Sequence, residues 1–169
     1  MGIRDLLKRV EKVKSKLNKV GETIGEVVEA EKETILSLNN DQMLLGRNAD
    51  GKEFTPSYLN DDYFTTPEKA IRYAEMKYRL EPEHTIRITN PTLYPSKGKD
   101  TPNLIVTGKF QDGMFIEANK DSFTIDSNYI ESQEIENKYG GLVFGLSPES
   151  KEFFYKHYLK DKLKRLIFR

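Results

Sequence analysis

Residues 104–126 read LIVTGKFQDGMFIEANKDSFTID, and this stretch decides the fold class. Met114–Ala118 and Phe123–Asp126 alternate apolar and polar side chains on either side of Asn119-Lys120-Asp121-Ser122, a polar tetrapeptide rich in turn formers. Period-two alternation around such a turn predicts an antiparallel β-hairpin. Just upstream, Leu104-Ile105-Val106-Thr107 is a short apolar and β-branched run closed by Gly108. It predicts a further strand over 104–110, with Gly108 supplying a turn or bulge. His84–Asn90 alternates weakly around Ile86 and Ile88 and predicts an edge strand, while Pro91, Pro95 and Pro102 make the following segment a surface connection.

Outside this region the spacing is helical. Ser147-Pro148-Glu149 starts a last helix, with Ser147 as N-cap and Pro148 at the first helical position; Phe153, Phe154, His157, Tyr158, Leu163, Leu166 and Ile167 are read as its apolar face. These aliphatic and aromatic side chains are expected to dock on the sheet. Thr66-Pro67-Glu68 is the same start signal, and Ala70, Ile71, Ala74 and Tyr78 continue one face, predicting a helix over about residues 67 to 80 that ends ahead of Pro82. Toward the N-terminus Ile3, Leu6, Val10, Val13, Leu17, Val20, Ile24 and Val27 step alternately by three and four, the heptad spacing of one narrow helix stripe. The stripe drifts through Val28, Ile35 and Leu38. Gly21 and Gly25 predict a break or bend, since each glycine inside a helix costs ~1 kcal/mol relative to alanine; the alternative is that the two, four apart on one helix, admit close approach of another backbone.

From Asn39 to Phe64 the reading is loop, with turn chemistry at Asp50-Gly51 and Pro56; Gly51 is expected at a positive-φ turn position. The elements together predict an α+β fold. A helical extension over residues 1–38 precedes an α+β domain over 39–169, which holds a small antiparallel sheet with its hairpin and a C-terminal helix.

A chain of 169 residues supports one domain with a genuine core plus an extension. It has no cysteine, which excludes disulfides, thiolate zinc sites and thiol nucleophiles. The opening MGIRDLLKRVEKVKSK places charges where a signal peptide needs an apolar core, and no run approaches the ~18 apolar residues of a membrane span. Synthesis in the cytoplasm without a membrane span is the expectation. Lys and Arg number 27, as do Asp and Glu, so no whole-molecule basic field gathers nucleic acid. The neutral total hides a pattern: residues 1–20 and residues 151–169 each hold seven basic and two acidic side chains, and residues 21–33 hold five Glu against one Lys. In the last helix Lys156, Lys160 and Lys164 repeat at four-residue spacing.

No catalytic constellation emerges. His84 and His157 lack partners at metal or triad spacing. Ser147 has Pro148 where a nucleophile elbow needs an amide. Asn48–Glu53 lacks the alternating carboxylates and terminal Glu of a calcium loop, Gly98-Lys99-Asp100 lacks the flanks of a phosphate loop, and Asp61-Asp62 reads as a solvated pair. The chain is expected to be non-enzymatic, with no metal and no cofactor.

Two blocks carry a family resemblance. In LNNDQMLLGRNADGKEFTPSY, residues 38–58, Asn39, Gln42, Gly46, Asp50, Gly51 and Tyr58 follow a helix end, a glycine, an acidic-glycine turn and a tyrosine. Later, Leu104, Thr107, Gly108 and Phe110 form a threonine-glycine element, and Gly145, Leu146 and Ser147 lead into the last helix. The set covers roughly residues 35 to 165 and resembles the virion morphogenesis or tail-completion proteins of tailed bacteriophages. That resemblance implies a non-enzymatic ring subunit of the neck, located in the virion between the portal-side connector and the tail. Its implied partners are further copies of itself, the connector and tail proteins, and genomic DNA in the channel. A ring interface is heterologous, so each subunit needs two complementary patches. The stripe from Ile3 to Val27, the acidic segment Glu22–Glu33 and the Lys156, Lys160, Lys164 face are the candidates. The alternative from the basic ends alone is a sequence-nonspecific nucleic-acid binder.

Overall fold

The heptad stripe folds into a single helix, α1 (Ile3–Ala30), with no interruption at Gly21 or Gly25. Both glycines lie half-buried where α1 meets the rest of the protein, so tertiary packing offsets their low helix propensity. The bend comes later, at Glu31 (φ −115, ψ 23), whose amide still bonds to the Val27 carbonyl at 3.0 Å. A second helix, α2 (Lys32–Leu44), follows at once. The computed structural model describes residues 3–85, 89, 90, 92–119 and 122–168.

The fold is α+β. After α2 come an irregular segment with one 3-10 turn at Tyr58–Asn60, then α3 (Pro67–Thr85), a single-turn helix α4 (Lys109–Asp112), strands β1 (Met114–Ala118) and β2 (Phe123–Ser127), and α5 (Ser132–Tyr139). The chain closes with α6 (Pro148–Phe154), a wide turn over Tyr155–Leu159, and α7 (Lys160–Phe168), three consecutive parts of one helical run. β1 and β2 pair antiparallel, the hairpin the alternation predicts, with Ile116 opposite Ile125. Met114, Ile116 and Ile125 face inward against α1 and α2, and Glu117, Thr124 and Asp126 face water.

α2 runs through the middle of the molecule. Ile35, Leu38 and Met43 pack with Val27 and Val28 from the end of α1, Phe54, Phe110, the inward hairpin residues, Val143, Leu146 and Phe154. The core therefore begins at Val27, inside the segment read from sequence as an extension. α2 also continues past Asn39 and Asn40, where a loop was expected. Its polar residues Asn39, Asp41 and Gln42 are fully buried and bond to distant parts of the chain instead of ending the helix locally.

Two strand expectations are corrected. Residues 104–110 form no strand: Leu104 sits at φ 52, Ile105 is buried, and α4 begins at Lys109. Side chains replace the missing ladder. The Leu104 carbonyl accepts from Gln111 Nε2 at 2.9 Å, the Ile105 carbonyl from Lys77 Nζ, and the Ile105 amide donates to Asn103 Oδ1 at 3.3 Å. α3 passes Pro82 and reaches Thr85, so the start of the expected edge strand is helical; 86–88 lie outside the described residues, and Thr89 and Asn90 are tied to Asp41. α5 was not read from sequence because ESQEIENKY offers only Ile135 and Tyr139 as an apolar face. The last helix also departs from expectation, since α7 packs chiefly along α1 and not over the hairpin.

Candidate functional site

The first block meets the late part of the second in space, at Gly145 and Ser147, whereas Thr107 and Gly108 stand apart from that contact. Gln42, on α2, donates from Nε2 to the Gly145 carbonyl at 2.6 Å and accepts at Oε1 from the Ser147 amide at 2.8 Å and from Ser150 Oγ at 3.1 Å. One turn earlier Asn39 Oδ1 accepts from the Gly145 amide at 2.7 Å. Ser147 caps α6 by accepting from the Ser150 amide at 3.3 Å, as the Ser-Pro signal predicts. Tyr94 OH donates to the Leu38 carbonyl at 3.1 Å and pairs with Ser150 Oγ. Burial first of all pushes the Tyr94 phenol up to about 12, so it stays a neutral donor. These bonds form a buried polar clamp that fixes the start of α6 on the middle of α2.

The rest of the first block supports the clamp from outside. Gly46 (φ 71) ends α2 and Gly51 (φ 76) makes the turn, with exposed Asp50 before it bonding from its amide to Asn48 Oδ1. The Ala49 amide donates to the Leu142 carbonyl at 2.9 Å, and a Cβ on Gly145 (φ 118) would lie 3.1 Å from Ala49 Cβ. Gly108 takes φ 84 before α4, and exposed Thr107 accepts from the Lys109 amide at 3.4 Å. Asp41, Tyr94 and Ser150 were missed in the sequence, although four consecutive polar residues between Leu38 and Met43 were a signal for buried partners. The Asp41 carboxylate accepts from the Thr89 and Asn90 amides, both at 2.9 Å, yet burial dominates and raises its pKa.

At Gly51 an added Cβ would meet Glu149 Oε2 at 3.2 Å and Pro148 Cδ at 3.4 Å, at a φ that β-branched residues avoid. Gly51→Val is expected to lower stability by ~1–2 kcal/mol in denaturant titration, above the ~0.5 kcal/mol of an ordinary surface change. A loss within that ordinary range would show that the turn readily adapts.

On this rigid base stands a projecting arm. Every residue of α1 from Ile3 to Lys19 is exposed, Ile3 by 81%, Val13 by 58% and Leu17 by 64%, together with Leu6, Leu7 and Val10. Val20 and Ile24 are half-buried, and Val27 is 1% exposed. The predicted stripe is thus divided: its last turns join the core, and its first half is uncovered. Ile24→Asp is expected to cost ~2 kcal/mol or more by placing a carboxylate against the core, while Leu17→Asp leaves the melting curve within ~0.5 kcal/mol of the parent. Equal effects of the two variants would contradict this division.

α7 lies alongside the arm, and Lys16 Nζ reaches the Ile167 carbonyl at 3.1 Å. The two basic ends of the sequence therefore share one limb. Lys156 pairs with Glu152 at 2.7 Å, Lys160 is half-buried and Lys164 is exposed.

A cleft of about 240 Å³ lies between Tyr58, Tyr73, Lys77, Ile105, Lys138 and Tyr139. It is smaller than the ~300–1,000 Å³ of ordinary ligand pockets. Its Lys77 ammonium is buried on the Ile105 carbonyl, and Lys138 pairs with Asp61. These lysines hold loop positions. Among the described residues no three His, Asp or Glu are grouped to hold a metal ion, and no helix is long and apolar enough to cross a membrane. His157 lies exposed with its ring 4.4 Å from that of Phe153. In comparisons with known proteins no family model matches the chain, and no curated protein or solved structure matches it.

Proposed function

We propose that this chain is a structural, non-enzymatic subunit of a tailed-bacteriophage particle, a neck or tail-completion component that forms a ring between the portal-side connector and the tail. The uncovered apolar half of α1 is the observation that supports a place in a larger assembly, as a surface left open for a neighbouring protein, and the ring itself rests on the resemblance. Covering an aliphatic side chain stabilises by ~1.5 kcal/mol or more, and this arm presents several of them to water in one row. A helix projecting from a firmly packed domain is a form suited to being completed by a neighbour. The phage assignment rests on the resemblance of the two blocks. The contact of the first block with Gly145 and Ser147 in the Gln42 clamp supports treating those two parts as one co-folded unit.

In this reading the protein is made in the bacterial cytoplasm and resides in the virion. Its copies associate through surfaces that include the outward face of α7 and the acidic stretch of α1 around Glu26 and Glu29, both exposed. Light scattering and negative-stain imaging of the purified chain test it. A ring-sized species without DNA is the expected result, and a monomer at every accessible concentration would overturn it.

The shared basic limb favours one second reading, a sequence-nonspecific binder of nucleic acid. Seven basic side chains from each end of the sequence then act together on phosphates. That reading expects a monomer that retards labelled duplex DNA, with affinity falling steeply as salt rises.

A further inference from the structure

The arm of α1 has a composition that specifies more than the existence of a partner. In heptad terms Ile3, Val10 and Leu17 occupy the a positions, Leu6 and Val13 the d positions, and the flanking e and g positions are Leu7, Arg9, Lys14 and Lys16. Every charge beside the exposed seam is positive. The acidic residues of the arm, Asp5 and Glu11, fall at c and b, on the outer side. We propose that this seam docks an amphipathic helix of a different protein whose own apolar seam is flanked by Asp or Glu. The inference rests on the assembly reading above and names the chemistry of the partner at that same site.

Charge decides against a second copy of the chain. A parallel pair sets g of one helix against the following e of the other, which opposes Arg9 with Lys14; an antiparallel pair sets e against e and g against g, and again no acidic residue is met. The chain's own acidic segment offers no substitute seam. Glu22, Glu26 and Glu29 stand at f and c positions, and the a and d residues beside them, Ile24 and Val27, are already taken up in the core. The shape of the seam decides against a bilayer surface. Helices that lie in lipid headgroups present a broad apolar face, commonly with Phe or Trp in it. Here the apolar set is a narrow a/d row with one e residue, β-branched at Val10 and Val13 and free of aromatics, with Lys14 and Arg9 directly beside it. That is the form of a helix-to-helix seam. The arm is also already helical, because the buried end of α1 nucleates it, so a partner helix meets a preformed track.

The test uses the 169-residue chain and two labelled synthetic peptides of three heptads, both with Val at a and Leu at d, one with Glu and the other with Lys at every e and g. Fluorescence anisotropy at low salt is expected to show binding of the Glu peptide about ten-fold or more tighter than the Lys peptide, with the preference fading as salt is raised. The Val10→Ser/Val13→Ser double variant is expected to lose this binding while melting like the parent, both side chains being exposed. Equal affinity for the two peptides would overturn the inference. So would self-association of the parent that the double variant abolishes, or attachment to phosphatidylcholine/phosphatidylglycerol vesicles with no measurable peptide binding. Ring formation is scored separately by light scattering. Rings with no peptide preference sink the acidic partner and leave the assembly reading standing, whereas a monomer that selects the Glu peptide supports the acidic partner and sinks the ring.

Discussion

Gln42→Ala is expected to lower stability by ~3–5 kcal/mol and the melting temperature by ~10 °C or more, although the substitution removes no charge. Gln42 is fully buried and uses both ends of its amide on the start of the last helical run: the Gly145 carbonyl at 2.6 Å, the Ser147 amide at 2.8 Å and Ser150 Oγ at 3.1 Å. Truncation strands a backbone donor and a backbone acceptor away from water, and each costs ~1–3 kcal/mol when its partner is lost. It also empties side-chain volume between α2 and α6. Gln42→Glu separates the two ends of the amide. It retains an acceptor for Ser147 and Ser150 but sets a carboxylate oxygen against the Gly145 carbonyl, so it too is expected to be strongly destabilised at neutral pH and to recover in part as acid protonates the new carboxyl. Thermal melts of both variants check this, and a loss under ~1 kcal/mol for Gln42→Ala would mean that water or a rearranged loop takes over the bonds.

The clamp also explains what could be read from the sequence. The hairpin was legible because its signal is local: alternation around a polar turn specifies pairing with the next strand, and Ile116 indeed faces Ile125. The Ser147 cap was legible for the same reason. The run at 104–110 looked like a strand by composition, but a strand requires a partner edge. Here the backbone of Leu104 and Ile105 is satisfied by Gln111, Lys77 and Asn103, contacts that span up to 28 residues and leave no periodic trace. The same holds for α2. Asn39, Asn40 and Asp41 are residues that usually terminate helices, and they remain helical because the groups that occupy the side chains of Asn39 and Asp41 come from about 50 and 100 residues away.

The candidate site was half legible. Heptad spacing located the stripe from Ile3 to Val27, yet spacing alone does not tell a seam closed by the molecule's own core from one left open. The boundary between the two falls between Leu17 and Val27 and depends on where α7 and the hairpin reach α1. The meeting of the two basic ends was equally hidden. Each was visible as a charge run, but their contact across 151 residues, from Lys16 to Ile167, is a property of the packing. The division of charge beside the seam, by contrast, is a local property of the e and g positions and is legible in the sequence alone.

Gly46→Val is expected to cost ~3 kcal/mol or more, and a comparison of variants separates its two causes. Gly46 closes α2 at φ 71, with its amide bonding to the Met43 carbonyl at 2.9 Å and its carbonyl accepting from the Phe54 amide at 3.0 Å. The left-handed backbone alone costs an ordinary L-residue ~1–2 kcal/mol. The second cause is space: a Cβ would stand 2.5 Å from Thr101 Cγ2 and 3.1 Å from the Pro102 carbonyl, both parts of a buried loop. That loop has little freedom to withdraw, since Thr101 Oγ1 bonds to Glu53 Oε2 at 3.2 Å and the Asn103 amide to Tyr58 OH at 3.3 Å. Overpacking of this kind adds ~1–3 kcal/mol. Asparagine tolerates the left-handed region but brings a Cβ, so Gly46→Asn is expected to remain destabilising by more than ~1 kcal/mol, whereas Gly51→Asn, whose nearest neighbour is the end of the flexible Glu149 side chain, is expected to be near neutral. Denaturant midpoints for the pair give the answer: similar small losses at both positions would mean that backbone conformation alone makes glycine necessary at Gly46, and that the 101–103 loop yields to a side chain there.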